Sequence, residues 1–263
     1  MTHIGRRAGP PPARLAAMLG CLALALAVPG CKSSSTVAPR TIQTLRLVSS
    51  YTLDIAEPSD ITIDDTGTRL WTVSNSPDSV YEIDLTGHRV RTLPFAGHDL
   101  EGIAYDKSDQ TLWLAEENRR EVVHLDLDGT VLGTYALGIT GEVNSGLEGI
   151  CLTGAGGIDV LNEKLPGLFI TLDPSYAVAT IDTVKFAGDY SGMSFDPASG
   201  AVWIVSDQSK RLYLWSRTAG VMKEYYLPYD KAEGVAYAPA ANRFYIVSEA
   251  GNKLYVYDNV PVD

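Results

Sequence analysis

From residue 45 onward, apolar positions come in short runs separated by polar turns, and no segment carries the 3.6-residue apolar stripe of a helix. The runs LWTVSN, LWLAEE, IDVLNE, VWIVSD and FYIVSE recur along the chain, after turns such as DDTG, DKSDQ, DPASG and APAAN. A further apolar run follows each of them: VYEIDL, VVHLDL, GLFITL, LYLWSR and LYVYD. Four of these lead into another, seen in HRVRTLPF, TVLGTYAL, TVKF and VMKEYYLP. Runs of this length, bounded by Gly, Pro, Asn and Asp, predict β-strands.

The strands are written in a repeat. Five stretches open alike, at Pro58-Ser59-Asp60-Ile61, Leu100-Glu101-Gly102-Ile103, Leu147-Glu148-Gly149-Ile150, Tyr190-Ser191-Gly192-Met193 and Ala232-Glu233-Gly234-Val235. Asp60, Gly102, Gly149, Gly192 and Gly234 are then spaced by 42, 47, 43 and 42 residues. Four short strands per period of about 43 residues is the signature of a propeller blade. The pattern predicts an all-β, five-bladed β-propeller; a six-bladed ring would need one blade too degenerate to see. The fifth repeat lacks a fourth strand, and LRLVSSYTLDI at 45–55 is placed to supply it, closing the ring and removing an open sheet edge.

In a propeller the first strand of each blade lines the channel and the second runs back beside it, so the start of one and the end of the other share a face. The starts carry Ser59, Glu101, Glu148, Ser191 and Glu233. The second-strand ends carry Asn75, Glu117, Glu163, Asp207 and Glu249, at 14 or 15 residues beyond the aligned position. Clustered carboxylates repel unless a cation or protons intervene. Oxygen donors without Cys or His favour Ca²⁺ or Mg²⁺ over zinc. The competing reading is that these acids only cap strands and face solvent. The four glycines imply close backbone approach near the axis, and Trp71, Trp113 and Trp203 recur at one second-strand position as blade packing.

Other chemistry is sparse. His98, just before Asp99-Leu100-Glu101, is one acid/base candidate and Asp189 the other, while His88 and His124 read as structural. There is no P-loop, GxGxxG or GxSxG. The aligned positions supply no Arg or Lys, which a phosphate substrate would want. Cys151, within a strand-like run, reads as a small core residue.

The N-terminus reads as an address rather than fold. Arg6, Arg7 and Arg14 precede an apolar run from Leu15 to Val28, which ends at Val28-Pro29-Gly30-Cys31. That is the layout of an export signal, too short to span a bilayer comfortably. VPGC resembles a bacterial lipobox with Cys31 as the lipidated residue. The expected division is a signal peptide at 1–30, a polar tether at 31–43 and the propeller at 44–263. Lys32 after the cysteine points to a lipid-anchored protein of the outer membrane facing the periplasm, by resemblance to known sorting patterns. The net charge of −11 argues against nucleic acid.

The series EPSDITID, DLEGIAYD, GLEGI, SGMSFDP and AEGVAY, with LWTVSNSPDSVYEIDLTG and LWLAEENRREVVHLDLDG between them, resembles the SdiA-regulated family of bacterial exported proteins over nearly all of residues 45–258. The resemblance implies a five-bladed propeller akin to NHL-repeat proteins, with calcium at its axis. The positions matching the family's acidic motifs are Glu57, Glu101, Glu148 and Glu233. The third repeat departs from the pattern at TGAGGIDVLNEKLPG, around Glu163. The expected function is a non-enzymatic, monomeric envelope module that binds a divalent cation and an envelope protein or small ligand. The alternative is a calcium-dependent hydrolase of lactones, esters or phosphoesters, since the chain also looks distantly similar to gluconolactonase-like and phytase-like propellers.

Overall fold

A computed structural model describes residues 42–154 and 156–262, with Gly9 before them. The signal peptide, Cys31 and nearly all of the tether lie outside the described residues. Twenty strands and one short 3-10 turn (Pro239–Ala241) make up the described elements, and among the described residues no helix is long and apolar enough to cross a membrane.

The first strand, β1, spans Gln43–Thr52. Three separate four-stranded sheets follow in chain order. They are β2 (Pro58–Ile63), β3 (Leu70–Ser74), β4 (Ser79–Ile83) and β5 (Arg89–Thr92); β6 (Leu100–Asp106), β7 (Thr111–Glu116), β8 (Glu121–Asp126) and β9 (Val131–Ala136); and β10 (Leu147–Leu152), β11 (Ile158–Asn162), β12 (Leu168–Leu172) and β13 (Val178–Thr183). The remaining strands are β14 (Met193–Asp196), β15 (Ala201–Ser206), β16 (Arg211–Ser216), β17 (Gly220–Tyr226), β18 (Ala232–Ala238), β19 (Arg243–Ser248) and β20 (Lys253–Val262). With β1 they form one eight-stranded sheet, ordered β14-β15-β16-β17-β1-β20-β19-β18.

Within that sheet the joints differ. β1 runs antiparallel to β20 from Thr44 opposite Val262 to Thr52 opposite Lys253. It meets β17 only through two parallel pairs, Gln43 with Tyr225 and Thr44 with Tyr226. The N-terminal strand thus pairs the last strand of the chain, and that strand runs on to Val262, past the expected end near Asp258. One expected strand moves: the outer strand of the third sheet is β13 and not TVKF, of which it takes only Thr183. β13 is exposed along most of its length and has no apolar face to read.

The second strands β3, β7, β11, β15 and β19 are buried almost throughout, because each lies between two strands of its own sheet and under its neighbours' faces. Four buried clusters lie between neighbouring sheets, and a fifth lies between the β14–β17 and β18–β20 parts of the eight-stranded sheet. Trp71, Trp113 and Trp203 each belong to one of them, at 3%, 1% and 1% exposure. Cys151 is likewise a buried core residue, and burial raises its thiol pKa well above the usual value.

Candidate functional site

The inner strands converge on the aligned column of one aspartate and four glycines. A Cβ on Gly102 would stand 2.3 Å from the Glu148 carbonyl oxygen, and one on Gly234 would stand 2.4 Å from Asp60 Cα. Backbones so close leave no room for side chains at four of the five positions. The room they make is taken by the fifth. Asp60 is fully buried; its Oδ1 accepts the Ile61 N–H at 2.8 Å and its Oδ2 accepts the Ile103 N–H, from the next sheet, at 2.9 Å. Burial pushes the Asp60 carboxyl well above the ordinary range, against the pull of these N–H groups and that of Val235. The acid was hidden in the sequence as the odd member of a glycine column, which is the signal that would have revealed it.

One residue back along the same strands, the channel opens into a cavity of about 200 Å³ with polar walls. It is lined by Glu57, Ser59, Asn75, Glu101, Glu148, Glu163, Asp189, Ser191, Asp207, Glu233 and Glu249, together with Lys164, Gln208 and Lys231. The strand starts and four of the five second-strand ends therefore meet on one face, including Glu163 of the irregular third repeat; Glu117, the fifth, is buried and outside the lining. The β-bulges beside Asp60, Gly102 and Gly234 shift the register next to the mouth-facing Ser59, Glu101 and Glu233.

Desolvation dominates the electrostatics. Glu101 is pushed up to about 8 by burial, with the Glu117 and Asp99 charges adding to it and hydrogen bonds from Asn75 and Ser59 opposing. Glu117 rises to about 7, through burial and then Asp99, although it accepts the Gly146 N–H at 2.9 Å. Glu233 also rises to about 7 by burial, with Lys231 opposing. Glu148 is raised strongly by burial and by the Glu101, Glu163 and Glu233 charges.

Two groups of carboxylates place their oxygens within 4.8 Å of one another: Asp99, Glu101 and Glu117; and Glu117, Glu148 and Glu163. Glu117 belongs to both and links them. Neither Glu57 nor Glu233 is in either group. Glu57 is exposed, with a left-handed backbone (φ 45°), and Glu233 lies 3.7 Å from the Lys231 ammonium. Lys231 also pairs Glu249 at 3.0 Å, and Lys164 pairs Glu163. These two lysines bring basic groups to the mouth although the aligned positions hold none: they sit one and two residues away from aligned positions, where the repeat alignment does not look.

The acid/base candidates separate. Asp189 lines the cavity, accepting hydrogen bonds from the Ser206 hydroxyl at 2.5 Å and the Gln208 N–H at 3.2 Å. His98 is exposed and outside the lining; its backbone N–H, not its ring, donates to Glu116 at 3.1 Å. His124 stacks on Trp113 at 4.1 Å and is part of blade packing.

Comparison with known proteins agrees with the architecture. The family model described as SdiA-regulated matches residues 46–258. Glutaminyl cyclase of Myxococcus xanthus superposes with a TM-score of 0.64 at 13% identity, over 84% of this chain and 98% of that one. The Cps50 (Swd1) β-propeller domain of Myceliophteria thermophila superposes at 0.50 and 10% identity, over 80% of this chain and 99% of that domain. At these identities the likeness is one of fold: an all-β propeller.

Proposed function

The chain belongs to the SdiA-regulated family, and on that premise we propose that it is an exported propeller whose acidic mouth binds a divalent cation, calcium by preference, and presents it to an envelope ligand or partner. The blade count we infer is five. Its supports are the five repeats, the thin two-pair joint between β1 and β17, which divides the eight-stranded sheet into two fours, and the buried cluster that packs between those two halves.

The observation that carries the cation is a buried orphan. Asn75 donates its Nδ2 to Glu101 Oε1 at 2.7 Å, which leaves its Oδ1 buried with no hydrogen-bond partner. A buried acceptor without a donor costs about 1–3 kcal/mol, and a cation among neighbouring carboxylates relieves both that cost and their repulsion. The donor set is hard oxygen throughout, as Ca²⁺ prefers. The protein's own lysines sit with Glu163, Glu233 and Glu249; Glu101, Glu117 and Glu148 have no lysine or arginine within ion-pair distance among the described residues. That puts the preferred ligand set at Glu101, Glu117, Glu148 and Asn75, with Asp99 at its edge.

The hydrolase reading has one specific support, Asp189 in the same cavity as Lys164 and Lys231, and it depends on the cation. Lipid anchorage through Cys31, on the periplasmic face of an outer membrane, completes the proposal. Thermal unfolding in EDTA, then with Ca²⁺ or Mg²⁺, tests it: a native-state ligand raises the melting temperature. Calcium is expected to raise it by several degrees, and the Glu101→Gln/Glu148→Gln variant is expected to lose the rise. No shift with either cation would remove both the cation site and the hydrolase that needs it.

A further inference from the structure

The same inner strands end in a second opening. Three residues past the aspartate and glycine column stand Ile63, Tyr105, Leu152, Phe195 and Tyr237, one from each repeat. All five line a cavity of about 630 Å³, whose deeper wall includes Ala104, Ile150, Cys151 and Met193. That volume is in the range of small-molecule sites, which are typically about 300–1,000 Å³, concave and mostly apolar. Asp60, three residues nearer the acidic mouth than Ile63 on β2, sets its carboxylate beside Gly192 and Gly234 in the column between the two mouths.

The column is held in place rather than loosely splayed. The Thr62 hydroxyl accepts the Tyr105 N–H at 3.1 Å, and the Ser194 hydroxyl accepts the Tyr237 N–H at 3.0 Å, each tying one inner strand to the next. Yet four of the five bulky residues remain only half-buried. Tyr237 is packed against Trp203 and Phe244, and the four others offer apolar area that a guest of matching size can remove from water. The rim carries charge of one dominant sign. Asp64, Asp65 and Asp106 stand against Lys107, and Arg243 is already committed to Asp258 at 2.9 Å.

We propose that this second mouth is a binding site for a small, flat, apolar molecule with a cationic or neutral polar end. The ring lies among Tyr105, Phe195 and Leu152, and the polar end faces the acidic rim. The concave shape and volume favour a small molecule over a protein face, and the rim selects against anions. Nothing in the inference requires a cation at the acidic mouth.

Calorimetric titration of the full chain with tryptamine and with indole-3-acetate tests it, since the two probes share a ring and differ in charge. Saturable binding of tryptamine at one site is expected, with indole-3-acetate at least tenfold weaker. Phe195→Ala is expected to weaken tryptamine about tenfold. Ala240→Trp, placed at an exposed rim position so that folding is spared, is expected to abolish binding at an unchanged melting temperature. Glu101→Gln/Glu148→Gln is expected to leave it intact. Absence of saturable tryptamine binding, equal binding of both probes, survival in Ala240→Trp, or loss in the glutamine variant would each overturn the proposal; the last would assign the amine to the acidic mouth.

Discussion

The two ends of the axial channel are built from the same five strands, and they could hardly differ more in chemistry. One residue before the glycine column the chain places Ser59, Glu101, Glu148, Ser191 and Glu233; three residues after it come Ile63, Tyr105, Leu152, Phe195 and Tyr237. Four residues of an extended strand cover about 13 Å, so one repeat sets two unlike surfaces at opposite ends of one short segment. Between them stands a single side chain. The comparison teaches that a repeat can keep two sites apart by leaving out side chains at four positions and keeping one.

The largest effect should come from breaking that partition. Asp60→Ala removes the acceptor of the Ile61 and Ile103 N–H groups, and two buried donors without partners cost roughly 2–4 kcal/mol. Urea unfolding should show a loss of that size, whereas an unchanged midpoint would mean that Asp60 is no hub.

Next is the contrast in pH response, which belongs to the acidic end alone. Glu101 is raised to about 8, and Glu117 and Glu233 to about 7, above their unfolded values. The folded state therefore holds more protons between pH 5 and 8. The stability these acids permit is full below the unfolded carboxylate pKa and is lost as pH rises through the folded values. In EDTA the melting temperature should fall by roughly 5 °C from pH 5 to pH 8, and saturating Ca²⁺ should flatten the fall. A flat profile in EDTA would show that the carboxylates are well solvated.

Two finer changes sharpen the map of the mouth. Asn75→Leu takes away the orphan acceptor and should weaken Ca²⁺ about tenfold, or about 1.4 kcal/mol, as read by calorimetry. Lys231→Gln frees Glu249 and Glu233 from their cation; a half-exposed pair is worth little, so Ca²⁺ affinity should rise only two- to threefold. Neither change should alter binding at the apolar mouth.

Much of this is legible in the amino-acid sequence. The repeat spacing pointed to the strand order, and its alignment brought the acids of first-strand starts and second-strand ends to one cavity, Glu117 excepted. That worked because a strand's period of two, repeated in register, leaves little freedom in which way its residues face. The register also holds the apolar column, which reads in the sequence as ordinary strand interior; only the open space beside it distinguishes lining from core. His98 misled because it lies in the loop before β6, where the left-handed backbone at Asp99 (φ 58°) separates it from the strand's alternation.

The sequence by itself determined the all-β repeat, the polar and apolar columns and the family to which the chain belongs. Tertiary structure alone decided which carboxylates share space, which are answered by Lys164 and Lys231, and that Asn75 is left with a bare oxygen. It also decided that the Asp60 carboxylate bridges to the next inner strand at Ile103. The physical reason is that repeat order is written in local periodicity, while desolvation, charge pairing and cavity depend on distances between residues tens of positions apart.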